Sequence, residues 1–185
     1  MSQQPYVHIL LATYNGARYL AEQLQSISRQ THSAWTLTVS DDGSTDDTLS
    51  LIEHFANQVV QPVTLLDGHR HGSSTANFFH LVANAPEGKS QDLYAFCDQD
   101  DVWHENKLER AVKFHEQNYI NSVRLYCGRT QFVDERLQPL GLSPKIRRLP
   151  SFGNALVQNI ASGNTMVFSQ AVLLAQKKIQ PAHSV

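Results

Sequence analysis

Leu93-Tyr94-Ala95-Phe96-Cys97-Asp98-Gln99-Asp100-Asp101 is an apolar run that passes directly into three carboxylates. A short apolar run bounded by polar turn formers marks a strand buried on both faces, as in a parallel sheet covered by helices. Three earlier segments repeat the pattern. Residues 6–12 break into Thr13-Tyr14-Asn15-Gly16, residues 35–40 into Asp41-Asp42-Gly43-Ser44, and residues 63–67 end at Asp67-Gly68. Between them apolar residues recur at helical spacing. Leu20, Leu24 and Ile27 do so over residues 17–29, and Leu51, Ile52 and Phe55 follow Ser44 and Asp47, which read as a capping box. Phe78, Leu81 and Val82 follow Gly72-Ser73-Ser74, and Leu108, Ala111, Val112 and His115 mark a helix opening near Glu105. This alternation through residue 118 predicts an α/β fold, a mostly parallel central sheet with helices on both faces.

Beyond residue 119 the pattern changes. Residues 123–127 and 131–133 read as strands, residues 165–168 as a further strand before a last helix, and the stretch through Pro150 as a loop rich in Pro and Gly. Its residues 141–150 are expected to be mobile. Without repeats or a linker, residues 1–185 read as one domain.

With 41% apolar and 17% charged residues the 185-residue chain has the composition of a globular protein, which excludes disordered and fibrous classes. No apolar run approaches the ~20 residues that span a bilayer, and the N-terminus lacks the order of a secretory signal. A soluble, cytoplasmic protein is expected. Cys97 and Cys127 have neither a CxxC spacing nor a His-rich neighbourhood, and read as structural thiols. The net charge of -2 hides an asymmetry, because every Asp and Glu lies at or before Glu135. From there on the ionisable residues are Arg136, Lys145, Arg147, Arg148, Lys177, Lys178 and His183. A solvated basic surface is the plain reading, and peripheral contact with a membrane or an anionic substrate is the alternative. No nucleic-acid partner is expected, since no dense basic patch with interleaved aromatics occurs.

In open α/β sheets ligands bind beyond the carboxyl ends of the strands, where these loops collect carboxylates. If the chain stays extended past Asp98, then Asp98 and Asp100 face one side and Gln99 the other, with Cα atoms roughly 6.6 Å apart. That is too far for a proton-sharing dyad and suits a shared Mg²⁺ or Mn²⁺, which takes oxygen ligands and is completed by substrate phosphates and water. Such an ion neutralises charge on a diphosphate leaving group. Asp101 reads either as a further ligand or as a cap of the next helix. Asp41 or Asp42 offers an acceptor to a nucleobase N–H, and Thr13, Tyr14 and Asn15 offer a hydroxyl, a ring and an amide. Taken singly, each loop is also an ordinary turn.

Taken together, Thr13-Tyr14-Asn15-Gly16, Ser40-Asp41-Asp42-Gly43-Ser44-Thr45-Asp46 and Cys97-Asp98-Gln99-Asp100-Asp101-Val102-Trp103 resemble the family-2, inverting, nucleotide-sugar glycosyltransferases of GT-A fold. The resemblance runs from about residue 6 to 168, where residues 162–168 are similar to a segment near that family's acceptor side. The wording from Asp98 to Trp103 most resembles bacterial rhamnosyltransferase-type enzymes of surface-polysaccharide assembly. It implies a Rossmann-like nucleotide-sugar-binding part at about 5–118 and the start of an acceptor part at about 119–185. Thr13, Tyr14, Asn15 and one of Asp41 and Asp42, with Asp41 preferred, would line the nucleotide site. Asn77 would lie beside the nucleotide-sugar, Asp98 would address the ribose or sugar, and Asp100 the Mg²⁺ or Mn²⁺. The implied partners are a nucleotide-diphosphate-sugar donor and a saccharide or lipid-linked saccharide acceptor, met at the inner face of the membrane.

The family's general base is a carboxylate downstream of the segment at residues 163–168, and no Asp or Glu follows Glu135. His183 lies two residues from the end, where fraying is expected. The base is therefore expected outside this chain, which reads as cut short before it, and a non-catalytic nucleotide-sugar-binding module is the alternative function. A phosphoacceptor receiver domain is disfavoured, because neither its lone phosphoacceptor Asp nor its strand-end Lys is evident. A nucleotidyltransferase is disfavoured for want of a Gly-rich N-terminal loop followed by a basic residue.

Overall fold

The computed structural model describes residues 4–67, 70–118, 123–145 and 161–178. Residues 146–150 of the expected mobile loop, together with Arg147, Arg148 and His183, lie outside the described residues.

The chain opens with β1 (Val7–Thr13), all seven residues of which are buried. It then forms α1 (Ala17–Ser28), β2 (Trp35–Asp41), α2 (Thr48–Ala56), β3 (Val63–Leu65), α3 (Ser74–Asn84), β4 (Leu93–Asp98) and α4 (Lys107–Gln117). β5 (Leu125–Cys127), β6 (Gln131–Val133), β7 (Pro139–Leu142), a 3₁₀ turn at Gly163–Thr165, β8 (Met166–Ser169) and α5 (Gln170–Lys177) follow. The main sheet has the order β3-β2-β1-β4-β8-β5. Pairs β1/β2, β1/β4 and β2/β3 are parallel, and β8 runs antiparallel to both β4 and β5. Only β8 is reversed among the six, so the sheet is mostly parallel, as predicted.

Strand alternation divides the core between two faces. Val7, Ile9, Leu11, Trp35, Leu37, Val39, Leu93, Ala95 and Cys97 meet the stripes of α1 (Leu20, Leu24, Ile27), α2 (Ile52, Phe55) and α4 (Leu108, Ala111, Val112). Leu10, Ala12, Tyr94 and Phe168 meet α3 (Leu81, Val82) and α5 (Leu173) on the other face. Each fully buried Leu or Ile contributes about 1.5–3 kcal/mol. Two faces carrying that many such residues hold the loops at the strand ends on a rigid base.

Two local expectations fail. Ser44 and Asp47 form no capping box, for Asp47 stands at the N-cap of α2 without a side-chain bond. Asp46 does the work instead, its carboxylate accepting from the Thr48 amide and hydroxyl and from the Ala17 amide. The Pro- and Gly-containing stretch after residue 138 is not all loop either. Pro139–Leu142 pairs with Gln131–Val133, and Pro139 is accommodated where the register slips between Phe132 and Val133.

Candidate functional site

The central strands end side by side. Thr13 lies opposite Asp41, and Ala12 opposite Asp98, so the loops at residues 13–16, 41–47 and 98–101 leave one edge of the sheet together. A cavity of about 310 Å³ lies between this edge and the first turn of α3. Of the residues singled out in the sequence, Thr13, Tyr14, Asp42, Asn77, Asp98 and Asp100 line it. Asn15, Asp41 and Asp101 do not.

Asp41 is absorbed by its own loop. Its carboxylate accepts from the Gly43 and Ser44 amides, the Ser44 hydroxyl and the Thr13 hydroxyl, at 2.6–3.1 Å. The structure thus turns the expected nucleobase acceptor Asp41 into its own loop and away from the cavity. Asp42 is the one that faces the cavity, where its carboxylate accepts from the amides of His71 and Gly72. Asn15 adopts a left-handed φ of 46°, which Asn tolerates better than most residues. Its Oδ1 accepts from the Thr45 amide at 2.8 Å and its amide donates to Ser44 Oγ at 2.8 Å, so it ties two loops together. Asn77, only 2% exposed, donates from Nδ2 to the carbonyls of Thr13 and Ser40, joining α3 to β1 and β2. Its Oδ1 is buried without a partner.

The extended geometry expected past Asp98 does not occur, because the chain turns at Gln99 and Asp100. Gln99 therefore lines the same cavity as its acidic neighbours. Its Oε1 accepts from the Tyr14 amide at 2.8 Å and its Nε2 donates to the Tyr14 carbonyl at 3.1 Å, so it takes up both backbone groups of that residue. Gly16 permits this, since a Cβ there would overlap the Gln99 amide. Asp101 is turned away from the cavity onto Asn164, whose Nδ2 donates to its Oδ1 at 2.9 Å. It does not cap α4 either, where Asn106 is the N-cap.

Asp98 and Asp100 have no hydrogen-bond partner for their carboxylates among the described residues. Burial, reinforced by the charges of Asp101 and Asp100, pushes the Asp98 carboxyl up to about 6. Burial likewise raises Asp101 and lowers the Lys107 ammonium to about 8, against the opposing pull of nearby carboxylates. Two unpartnered, mutually repelling carboxylates fit a divalent cation. No group of three His, Cys, Asp or Glu side chains that could hold a metal occurs among the described residues. The protein would then supply two oxygen ligands and leave the remaining positions to phosphate and water, the habit of Mg²⁺.

The cavity lining also includes one cationic side chain. Arg70 lines the cavity, its guanidinium 5.7 Å from the centre of the Tyr14 ring. Gly72, at φ +80°, turns the chain into Ser73, the N-cap of α3, whose side chain accepts from the Ala76 amide. That leaves the Ser74 and Thr75 amides of the first turn without an acceptor within the helix, and these favour an anion. The sequence reading missed Arg70, Ser73 and Gln99 as site residues. Ser73 was legible as a helix start after Gly72. Gln99 was not, since its partner lies 85 residues away.

Residues 8–174 match the profile of Glycosyl transferase family 2. The chain belongs to this family. One relative of this family 2 chain is the dTDP-rhamnosyl transferase RfbG of Shigella flexneri, 33% identical over 132 residues, which cover 68% of this chain and 45% of the relative. The fold is shared with the S. aureus TarS 1-349 crystal structure in complex with UDP-GlcNAc, at TM-score 0.67 and 20% identity over 95% of this chain and 48% of that one. It is also shared with mannosyltransferase PcManGT from Pyrobaculum calidifontis in complex with GDP-Man and Mn²⁺, at TM-score 0.62 and 21% identity over 94% and 47%. These likenesses establish the GT-A arrangement. The chain spans less than half the length of the curated relatives, 45%, 35% and 41% of the first three.

Proposed function

We propose that this chain is the donor-binding part of a metal-dependent glycosyltransferase. The enzyme would move a sugar from a nucleotide-diphosphate-sugar to a hydroxyl of a saccharide or lipid-linked saccharide, in cell-surface polysaccharide synthesis at the inner face of the membrane. The observation that carries this reading is the polarity of the cavity. Unpartnered Asp98 and Asp100 share its lining with Arg70 and the start of α3. A metal-bound diphosphate presents a cation to the carboxylates and anionic oxygens to Arg70 and the helix N-terminus.

Asp98 and Asp100 would hold Mg²⁺ or Mn²⁺, which when bound supplies Lewis acidity to a diphosphate leaving group. Arg70 and the α3 amides would take the phosphate oxygens, as at other helix N-termini. Tyr14, held by Gln99 and flanked by Arg70, offers its ring to a base, and Asp42 retains lone pairs for a base N–H. The names of the relatives support the donor class, since they include a dTDP-rhamnosyl transferase and complexes with UDP-GlcNAc and with GDP-Man and Mn²⁺. No described helix is long and apolar enough to cross a membrane.

Calorimetry with uridine or thymidine diphosphate tests the reading. Binding is expected only with Mn²⁺ or Mg²⁺, and Asp100→Ala should abolish that dependence. Equally tight binding without metal refutes the assignment. The same cavity would also serve a second reading, a non-catalytic nucleotide-sugar-binding module. Incubation with a panel of donors separates the two, since only an enzyme releases nucleoside diphosphate.

A further inference from the structure

Asn164, in the 3₁₀ turn that enters β8, is gripped from two sides. Its Nδ2 donates to Asp101 Oδ1 at 2.9 Å, and its main-chain carbonyl accepts from Lys107 Nζ at 2.5 Å. Lys107 is itself fixed, with Nζ 3.5 Å from the centre of the Trp103 ring. Trp103 is 5% exposed and its amide donates to Ser26 Oγ. The remaining side-chain oxygens of Asp101 and Asn164 are buried without partners. Among the described residues the bond from Asn164 is thus the one hydrogen bond that the Asp101 carboxylate receives.

This places two pins on the turn that carries Asp98 and Asp100. Gln99 fastens it to the β1 loop through Tyr14, and Asp101 fastens it to the entry of β8 through Asn164. Asp98 and Asp100 have no bonds of their own among the described residues to fix their directions. Their geometry therefore depends on the residues on either side of Asp100. We infer that Asn164 is a positioning residue: through Asp101 it holds Asp98 and Asp100 where a divalent cation is received, and so links the segment before β8 to the donor site. The inference rests on the donor-binding reading above. It gives Asp101 a supporting place behind the site rather than a place on the metal.

A charge-swap cycle tests it. Asn164→Asp sets two carboxylates against each other across the 2.9 Å contact. The double variant Asn164→Asp with Asp101→Asn restores one amide and one carboxylate, with donor and acceptor exchanged. The readouts are the calorimetric affinity for uridine diphosphate with Mn²⁺ and the melting temperature in EDTA. Asn164→Asp is expected to weaken Mn²⁺-dependent binding about tenfold and lower the melting temperature, the double variant returning affinity to within about twofold of wild type. Asn164→Ala removes the contact without adding charge and is expected to cost about fivefold, which keeps the test open should Asn164→Asp not fold. Wild-type affinity in Asn164→Asp or Asn164→Ala overturns the inference. A double variant that recovers its melting temperature but not its affinity also overturns it, since Asp101 would then be needed as a ligand. A wild-type chain without metal-dependent binding overturns the donor-site reading, and this inference with it.

Discussion

Replacing Asp98 with Asn should stabilise the metal-free protein while disabling its site. The Asp98 carboxyl is lifted from 3.8 to about 6, first by burial and then by Asp101 and Asp100. Between those two values the folded protein holds a proton that the unfolded chain has released. Stability therefore falls as pH rises through this window, and the loss is complete above about pH 6. At about 1.4 kcal/mol per pKa unit the cost would be roughly 3 kcal/mol in a dry site. Asp98 is only half-buried, and solvent screening reduces this to on the order of 1 kcal/mol. Asn carries no charge to bury. Its advantage over wild type should be near zero at pH 4 and reach about 1 kcal/mol by pH 8.

Urea unfolding in EDTA at a series of pH values measures this difference directly. Adding Mn²⁺ with a nucleoside diphosphate should then reverse the order, because a ligand that binds only the folded state adds about 2.7 kcal/mol at one hundred times its Kd. Wild type should gain that stability and Asp98→Asn should not. A difference that is flat across pH refutes the electrostatic argument. Equal protection of both proteins by the metal and nucleotide refutes the place of Asp98 in the site.

Gln99→Ala removes both bonds to the Tyr14 backbone and should weaken nucleoside diphosphate binding, with about 1 kcal/mol lost from stability because the contact is exposed. Gly16→Ala should weaken binding in the same way by displacing the Gln99 amide, and the double variant should bind no worse than either single one; additive losses in calorimetry would show that the two act separately. Asn77→Ala leaves the buried carbonyls of Thr13 and Ser40 without that donor and should cost about 2–4 kcal/mol in urea unfolding, and a loss below 1 kcal/mol would mean that α3 is held by its apolar contacts alone.

The order of the elements was legible because β1 and β4, buried on both faces, are written as largely apolar runs, while β2 alternates Trp35, Leu37 and Val39 with Thr and Ser. The choice between Asp41 and Asp42 was legible too, but through a different signal. On β2 the side chains of Trp35, Leu37 and Val39 face α1 and α2, so Asp41 continues on that side of the sheet. Asp42 has the parity of Thr38 and Ser40 and turns toward α3, as Ala12 does on β1, and the cavity lies on that side. Parity at the strand ends anticipates which of the two lines the cavity, which a preference for the first Asp does not. The places of Gln99 and Asp101 could not be read this way. Each depends on a partner remote in sequence, 85 residues away for Tyr14 and 63 for Asn164.

The acidic residues at this edge separate by what they are bonded to, a property that composition does not carry. Asp41 and Asp46 receive several hydrogen bonds each, and those bonds lower the Asp46 carboxyl, so their charge is satisfied within the loops they shape. Asp98 and Asp100 are left unsatisfied on the cavity wall, and Asp98 is raised. A folded chain retains such groups at a cost in stability, and a ligand of opposite charge recovers it. The turn propensity of Asp alone would have made all four equivalent scaffolding carboxylates. On the proposed donor-binding reading, the division into bonded and unbonded ones favours the Asp98–Asp100 turn over the loop after β2 as the place for a cation.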